Sequence, residues 1–252
     1  MKTLGIDLAG ASSGKTGWAV VEGKRTPHLT DAGLQPVAKT PGEAELSLLE
    51  LIDGVEPYVL AIDAPLTLPP CLTCPSYCRG PGADLCELQA AREMWEAGSN
   101  PVSRRPCEAE ARALIEGLNP KPTMGLGIIT ARAVTLVRRL EVRGRPPASI
   151  ARGEVLEVYP AASLLRFSVA NEKLRPKQTG EGEGEFCARA ATGLAELGVK
   201  GIEDHRAALE VSHDVLDAVL SAYTGWLHPG GLECPPDGFN VASGWIWFPK
   251  AA

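Results

Sequence analysis

The sequence lacks any stretch approaching the ~18–20 apolar residues that a membrane span requires. Its first residues run straight into an apolar, strand-like segment, so no signal peptide is expected. A soluble, cytoplasmic protein is the expectation. It also lacks an excess of positive charge, with 25 Lys and Arg against 31 Asp and Glu and a net charge of −6. A basic field over the whole chain is therefore excluded, and any contact with nucleic acid needs a local patch. Internal repeats are absent. Aromatic residues are few, at 5%. No histidine lies near any of the seven cysteines in sequence, which argues against a Cys–His nucleophile. In a reducing compartment those cysteines are thiols or metal ligands rather than disulfides. The 252 residues otherwise have an ordinary globular balance, 44% hydrophobic and 22% charged.

What is present is organised around Leu4-Gly5-Ile6-Asp7-Leu8-Ala9-Gly10 and Gly17-Trp18-Ala19-Val20-Val21. Apolar residues alternate with Gly5, Asp7 and Ala9, as in a pleated strand. The reading is strand, tight turn, strand, with Asp7 in the middle of the first. A carboxylate in a core strand costs several kcal/mol unless a metal, a cation or hydrogen bonds compensate it. The plainer alternative puts Asp7 at a strand end, accepting turn N–H groups.

Further elements follow in order. His28 to Gln35 is a candidate third strand, and Pro41 opens a helix with Ala44, Leu48, Leu51 and Ile52 on one face. Tyr58 to Ile62 reads as a strand buried on both faces, and Pro65 places Asp63 at its carboxyl end. Sites in open α/β sheets form at such ends. Residues 66 to about 106 are rich in Pro, Cys and Gly and read as an insertion after the fourth strand, with a helix near Asp84 to Ala97. Helices are expected over Cys107–Leu118, Ile128–Val142, Phe186–Leu197 and Ser212–Leu227, and a strand over Val155–Tyr159. Gly244 to Phe248 forms a last strand or a packed tail. The whole, residues 1–252, is expected to be one α/β domain with a mixed five-stranded sheet and helices on both faces.

Carboxylates interrupt apolar elements at four places: Asp7, Asp63, Glu157 and the pair Asp214/Asp217. The last two are three residues apart on one face of an apolar helix, where like charges repel unless a cation lies between them. Ser212 as N-cap, with Asp214 in the first turn, would account for Asp214 alone. It does not account for Asp217. His213, beside Asp214, is a candidate for proton transfer or for capping the helix. Converging carboxylates without His or Cys suit hard cations such as Mg²⁺ or Mn²⁺.

Here the chain resembles a family. The layout is similar to the RNase H-like fold of RuvC-type Holliday-junction resolvases. More closely, it resembles a bacterial and archaeal domain-of-unknown-function family of predicted nucleases. The resemblance rests on Gly5-Ile6-Asp7-Leu8-Ala9 with Gly17-Trp18-Ala19-Val20, on Ala61-Ile62-Asp63-Ala64-Pro65, and on Arg105-Pro106-Cys107-Glu108 with Arg112. It continues in Glu157-Val158-Tyr159-Pro160-Ala161 and His213-Asp214-Val215-Leu216-Asp217-Ala218. It implies that Asp7, Asp63 and Asp214 or Asp217 are metal ligands of a nuclease. Two Mg²⁺ about 4 Å apart would then be bridged by Asp7 and flanked by the other carboxylates, Glu157 among the candidates. Arg132, Arg138, Arg139, Arg143, Arg145 and Arg152, against only Glu141, form a candidate nucleic-acid contact or a solvated helix face. A non-catalytic nucleic-acid or protein-binding module on the same fold is the alternative.

Two rival motifs remain. Ala9 to Thr16 matches a relaxed P-loop ending in Gly14-Lys15-Thr16, but a P-loop must feed a helix, and a strand-like run follows. Cys71, Cys74, Cys78 and Cys86 lie within 16 residues on a Gly/Pro-rich stretch. They are either a structural zinc site, with Cys107 able to replace one ligand, or free thiols in a loop.

Overall fold

The computed structural model describes residues 1–11, 13–74, 88–144, 154–169, 182–228, 230–240 and 244–251. Its frame is a mixed sheet. Strands β1 (Lys2–Asp7), β2 (Gly17–Glu22) and β3 (His28–Leu34) form an antiparallel meander. Strands β4 (Val59–Asp63), β5 (Val155–Val158) and β6 (Ile246–Trp247) add in parallel on the other side of β1. The order is β3-β2-β1-β4-β5-β6. Six strands replace the five expected, because Ile246 and Trp247 pair with Glu157 and Val158 at the edge.

Ten helical segments are relevant to the frame or the site. They are α1 (Pro41–Val55), α2 (Pro70–Thr73), α3 (Gln89–Glu96), α4 (Pro106–Leu114), a 3₁₀ turn (Thr123–Leu126) and α5 (Ile128–Val142), then α6 (Pro160–Arg166), α7 (Glu183–Glu196), α8 (Arg206–Val211) and α9 (His213–Trp226). Pro41 stands in the first turn of α1, where the sequence reading opens the helix, and Thr40 caps it by accepting the Glu43 N–H. The short helices α6 and α8 have too few periodic positions to stand out in sequence. Both start or lie where tertiary packing, not propensity, decides.

Alternation along the strands sorts the core into two layers. Leu4, Ile6, Leu60 and Ile62 face α1 and α5 and pack with Leu48, Ile52, Leu136 and Leu140. Ala19 and Val21 face the other way and pack with Leu216, Val219 and Leu220 of α9 and with Phe186 and Leu194 of α7. Each fully buried Leu or Ile contributes roughly 1.5–3 kcal/mol, so each layer is an independent source of stability.

Helix α9 lies very close to the sheet, and two glycines permit it. A Cβ on Gly5 would stand 2.1 Å from the Ala218 carbonyl oxygen and 2.3 Å from the Ala222 nitrogen. One on Gly17 would stand 2.0 Å from the Asp214 carbonyl oxygen. These are backbone atoms and cannot step aside. The missing side chains therefore fix both the depth of α9 and the position of its first turn, over the junction of β1 and β2.

Candidate functional site

Asp7 and Asp63 are the last residues of β1 and β4, and the parallel register pairs them directly. Asp7 is thus at the strand end rather than mid-strand. Neighbouring strands lie about 4.8 Å apart, so in-register carboxylates project side by side from the same face. That face is the one α9 covers, since Gly5 meets the α9 backbone and Asp7 is two residues on. The first turns of α9 bring Asp214 and Asp217 to the same place.

Four carboxyl groups meet there. The pKa of Asp7 is raised well above the ordinary carboxyl value, first by burial. After burial come the negative charges of Asp63, Asp217 and Asp214, and a hydrogen bond with the Asp214 carboxyl. Two carboxyl groups share a hydrogen bond only if one holds a proton. Asp214 is also 3.3 Å from His213 Nε2, and His213 Nδ1 is 2.6 Å from Glu183 Oε1. Burial acts to lower the His213 pKa, but the hydrogen bond with Glu183 and the charges of Asp214 and Asp217 raise it overall. Ser212 occupies the N-cap of α9 without capping it; its hydroxyl lies 3.5 Å from Asp214 Oδ2 instead. Among the described residues, no three His, Cys, Asp or Glu side chains are grouped so as to hold a metal ion as they stand.

Glu157 does not join this group. It pairs in register with Ile62, not with Asp63. Alternation therefore turns it to the opposite face of the sheet, toward α5. There it meets Arg105, with Nη2 donating to Oε1 at 2.5 Å and Nη1 to Oε2 at 2.6 Å. The Leu66 N–H donates to Oε2 as well. Arg105 is 1% exposed, and its remaining donors reach Thr123 Oγ1 at 2.7 Å, Thr67 Oγ1 at 3.0 Å and Glu108 Oε1 at 3.4 Å. Burial pushes the neighbouring Cys107 thiol up to about 12, so it is inert at neutral pH. Both charged residues came from the sequence as motif members; their pairing across 52 residues carries no local signal.

The arginine run is largely consumed inside the protein. Arg132 is buried, not on a solvated face. Its guanidinium donates to Glu45 Oε1 and the Ala9 carbonyl, each at 2.5 Å, and to Thr16 Oγ1 at 2.8 Å. Gln35 Oε1 accepts a fourth bond at 3.3 Å. Arg139 pairs with the other Glu45 oxygen at 3.1 Å, and Arg143 pairs with Asp53. Arg138 is exposed on α5. Arg145 and Arg152 lie outside the described residues. A signal for Arg132 did exist: it sits beside Ala133 and one turn from Leu136, on the apolar stripe of α5, as Glu45 does beside Ala44 on α1.

The rival motifs separate. Thr16 leads into β2, not into a helix, and its hydroxyl is held by Arg132 and accepts the Ala9 N–H. Gly14-Lys15-Thr16 is therefore part of a hairpin connection and lacks the helix N-terminus that a phosphate-binding loop uses. Of the cysteine set, Cys71 and Cys74 are partly buried around α2. Cys78 and Cys86 lie outside the described residues.

A cavity of about 230 Å³ opens beside the carboxylates. Asp7 and Asp63 form one wall and Glu108 and Glu157 another, because the cavity wraps the carboxyl ends of the strands. Among the described residues, no helix is long and apolar enough to cross a membrane. No curated protein and no solved structure matches the chain. A family model does match, over residues 5–240, nearly the whole length and every element of the site. The chain belongs to that family, described as "Protein of unknown function (DUF429)".

Proposed function

We propose that the protein is a metal-dependent nuclease with an RNase H-like arrangement, hydrolysing phosphodiester bonds in DNA or RNA. One observation carries the reading: Asp7 ends its strand in register with Asp63 and beside Asp214 and Asp217, and burial first, then the charges of these aspartates, raises its pKa well above the ordinary carboxyl value. A stable fold does not gain from four like groups converging at a strand end. Bound Mg²⁺ or Mn²⁺ would relieve the repulsion. The donor set fits such ions, being all carboxylate oxygen. Asp7 and Asp63, from rigid strands, and Asp214 and Asp217, from the closely seated α9, would hold them. When bound, such ions lower the pKa of a water nucleophile and neutralise charge on the leaving oxygen. The protein's own part is to fix four oxygens-bearing side chains from three elements, and to bring His213 within reach of Asp214 for moving a proton. A mixed sheet with helices on both faces supports the RNase H-like assignment, with β6 as an added edge strand.

A cleavage screen over single-stranded, duplex and branched DNA and RNA, with Mg²⁺ or Mn²⁺, tests the proposal. Wild type is expected to cleave at least one substrate class only when metal is present, and Asp7→Asn to cleave none. A non-catalytic binding module would cleave nothing with any metal, while still retaining a partner.

A further inference from the structure

The cavity beside the aspartates carries a cation on its rim. Lys121 lines it together with Asp7 and Asp63, and is exposed. Among the described residues, its side chain enters no hydrogen bond or ion pair. The chain around it is held far more firmly than a solvated lysine needs. Pro120 and Pro122 flank it, fixing their own φ and pushing Lys121 toward extended backbone. Arg104 Nη1 donates to the Pro120 carbonyl at 3.2 Å. Two residues beyond Lys121, Thr123 is fully buried. Its N–H donates to Glu108 Oε1 at 3.1 Å, and its carbonyl accepts the Thr130 hydroxyl at 2.8 Å. Arg105 Nε donates to its hydroxyl oxygen at 2.7 Å. Through Arg105 and Glu157 the loop is tied to β5, the neighbour of the strand that ends in Asp63. The backbone is thus pinned on both sides of Lys121, and the stem is left to follow a ligand. The other charged side chains of the lining are Asp7, Asp63, Glu108, Glu157 and Arg105. Arg105 spends its donors on Glu157, Thr123, Thr67 and Glu108. A polyanion reaching the aspartates through this cavity therefore meets Lys121 as the cation with donors to spare. The volume, about 230 Å³, is below the ~300–1,000 Å³ usual for drug-sized ligands. It suits part of one nucleotide and excludes a base-paired duplex.

We infer that Lys121 binds a backbone phosphate of an unpaired nucleic-acid strand, next to the linkage that lies at Asp7 and Asp63. A lysine ammonium is a compact point charge on a flexible stem, which suits a phosphate whose exact orientation is not read. The apolar lining, Pro65, Leu126, Ile129 and Ile246, lies along the sugar and base between the two phosphates. Nucleic acid as the ligand class rests on the nuclease reading; the pinned loop and its unpaired cation do not. Lys121 takes no part in bond breaking. Its removal should therefore act on binding of the strand and not on turnover.

The test measures binding of a short fluorescent single strand, DNA and RNA in turn, to the full-length protein by anisotropy over a series of salt concentrations. Ca²⁺ replaces Mg²⁺, because it takes the same carboxylate oxygens at longer distances, ~2.3–2.6 Å against ~2.0–2.1 Å. Gel electrophoresis of each sample selects the readings in which the strand is intact. Lys121→Gln is expected to weaken binding about threefold to fivefold at low salt. It should also lower the slope of log K against log salt by ~0.7, the share of one phosphate on a single strand. Lys121→Arg keeps the charge and should restore both. Lys24→Gln removes the same charge beyond the far end of β2 and should leave both near wild type. A duplex of the same sequence should bind more weakly than either strand. Thermal melts of Lys121→Gln and wild type should superimpose, since no contact within the protein is lost. With Mg²⁺, Lys121→Gln should raise KM for cleavage and leave kcat near wild type. Four results overturn the inference: binding and slope unchanged in Lys121→Gln, a loss no larger than that of Lys24→Gln, a duplex bound more tightly than its strands, or no binding by wild type. The two claims fail separately. Metal-dependent cleavage unaffected by Lys121→Gln leaves the nuclease without this contact; Lys121-dependent binding without cleavage under Mg²⁺ or Mn²⁺ leaves the contact without the nuclease.

Discussion

Two buried sets of charge lie at the carboxyl ends of the same strands, on opposite faces of the sheet. On the α5 face, Arg105 meets Glu157 through two parallel hydrogen bonds, and Thr123, Thr67 and the Leu66 N–H complete the shell. On the α9 face, Asp7 meets Asp63, Asp214 and Asp217, and the effect on it after burial comes from carboxylates. The first set pairs a guanidinium with its carboxylates; the second gathers four carboxyl groups, with His213 Nε2 at 3.3 Å from Asp214. The difference separates what the fold needs from what the fold tolerates. A paired cluster holds elements together once it exists, although replacing it whole by apolar groups need not harm stability. Four acidic side chains gathered at a strand end repel one another, and a ligand of opposite sign would relieve that repulsion.

The contrast can be broken from the paired side first. Arg105→Met should leave Glu157 and part of Glu108 as buried, uncompensated charge. A loss of about 3–5 kcal/mol is expected, read as a drop in the denaturant midpoint at unchanged slope. Arg132→Met should cost less, about 2–3 kcal/mol, because Arg139 still pairs with Glu45. It should also free the Ala9–Thr16 connection, seen as faster amide exchange there while the core strands stay protected.

The aspartate side should respond with the opposite sign. Asp7 holds its proton to higher pH in the native state than in the unfolded chain. Between its ordinary value of 3.8 and its raised native value, the native state binds more protons. Its contribution is therefore fully present below pH 3.8 and is lost as pH rises through the native pKa. Glu108, also raised by burial, adds a background of the same sign. Asp7→Asn should flatten the fall in stability over that range, a smaller effect than either arginine change. Smallest of all, Cys107 should resist alkylation in the native state near pH 8, since burial pushes its thiol up to about 12. The exposed Cys234 should react.

Much of the fold was legible. Alternation at Leu4 to Leu8 and the run Val59 to Ile62 located the two central strands, and α5 begins and ends where its apolar period does, at Ile128 and Val142. Asp7, read as mid-strand, is instead the last residue of β1, and that is what sets it in register with Asp63 at the end of β4. What the sequence concealed was long-range. Glu157 sits in a strand like the two aspartates, but its register places it with Ile62 and so on the other face. A one-residue difference in register cannot be read from a four-residue strand. Arg132 groups in sequence with the arginines from Arg138 to Arg152, although its own neighbours Ala131 and Ala133 are apolar; its partner Glu45 is 87 residues away. The depth of α9 depends on Gly5 and Gly17, which read locally as turn or strand-weakening residues. Only the helix that packs on them gives them their role. The sixth strand, two residues long, is defined by pairing alone.

The central claim is that the aspartate cluster is built for a cation, and thermal melts of wild type and Asp7→Asn with and without Mn²⁺ test it most directly. A cation that binds only the native state raises the melting temperature. Wild type is expected to melt higher with Mn²⁺, while Asp7→Asn gains little from the metal and, without it, melts at or above the metal-free wild type. If metal-free Asp7→Asn melts well below wild type, and wild type gains nothing from Mn²⁺, Asp7 is a structural hydrogen-bonding residue and the cluster is not a metal centre.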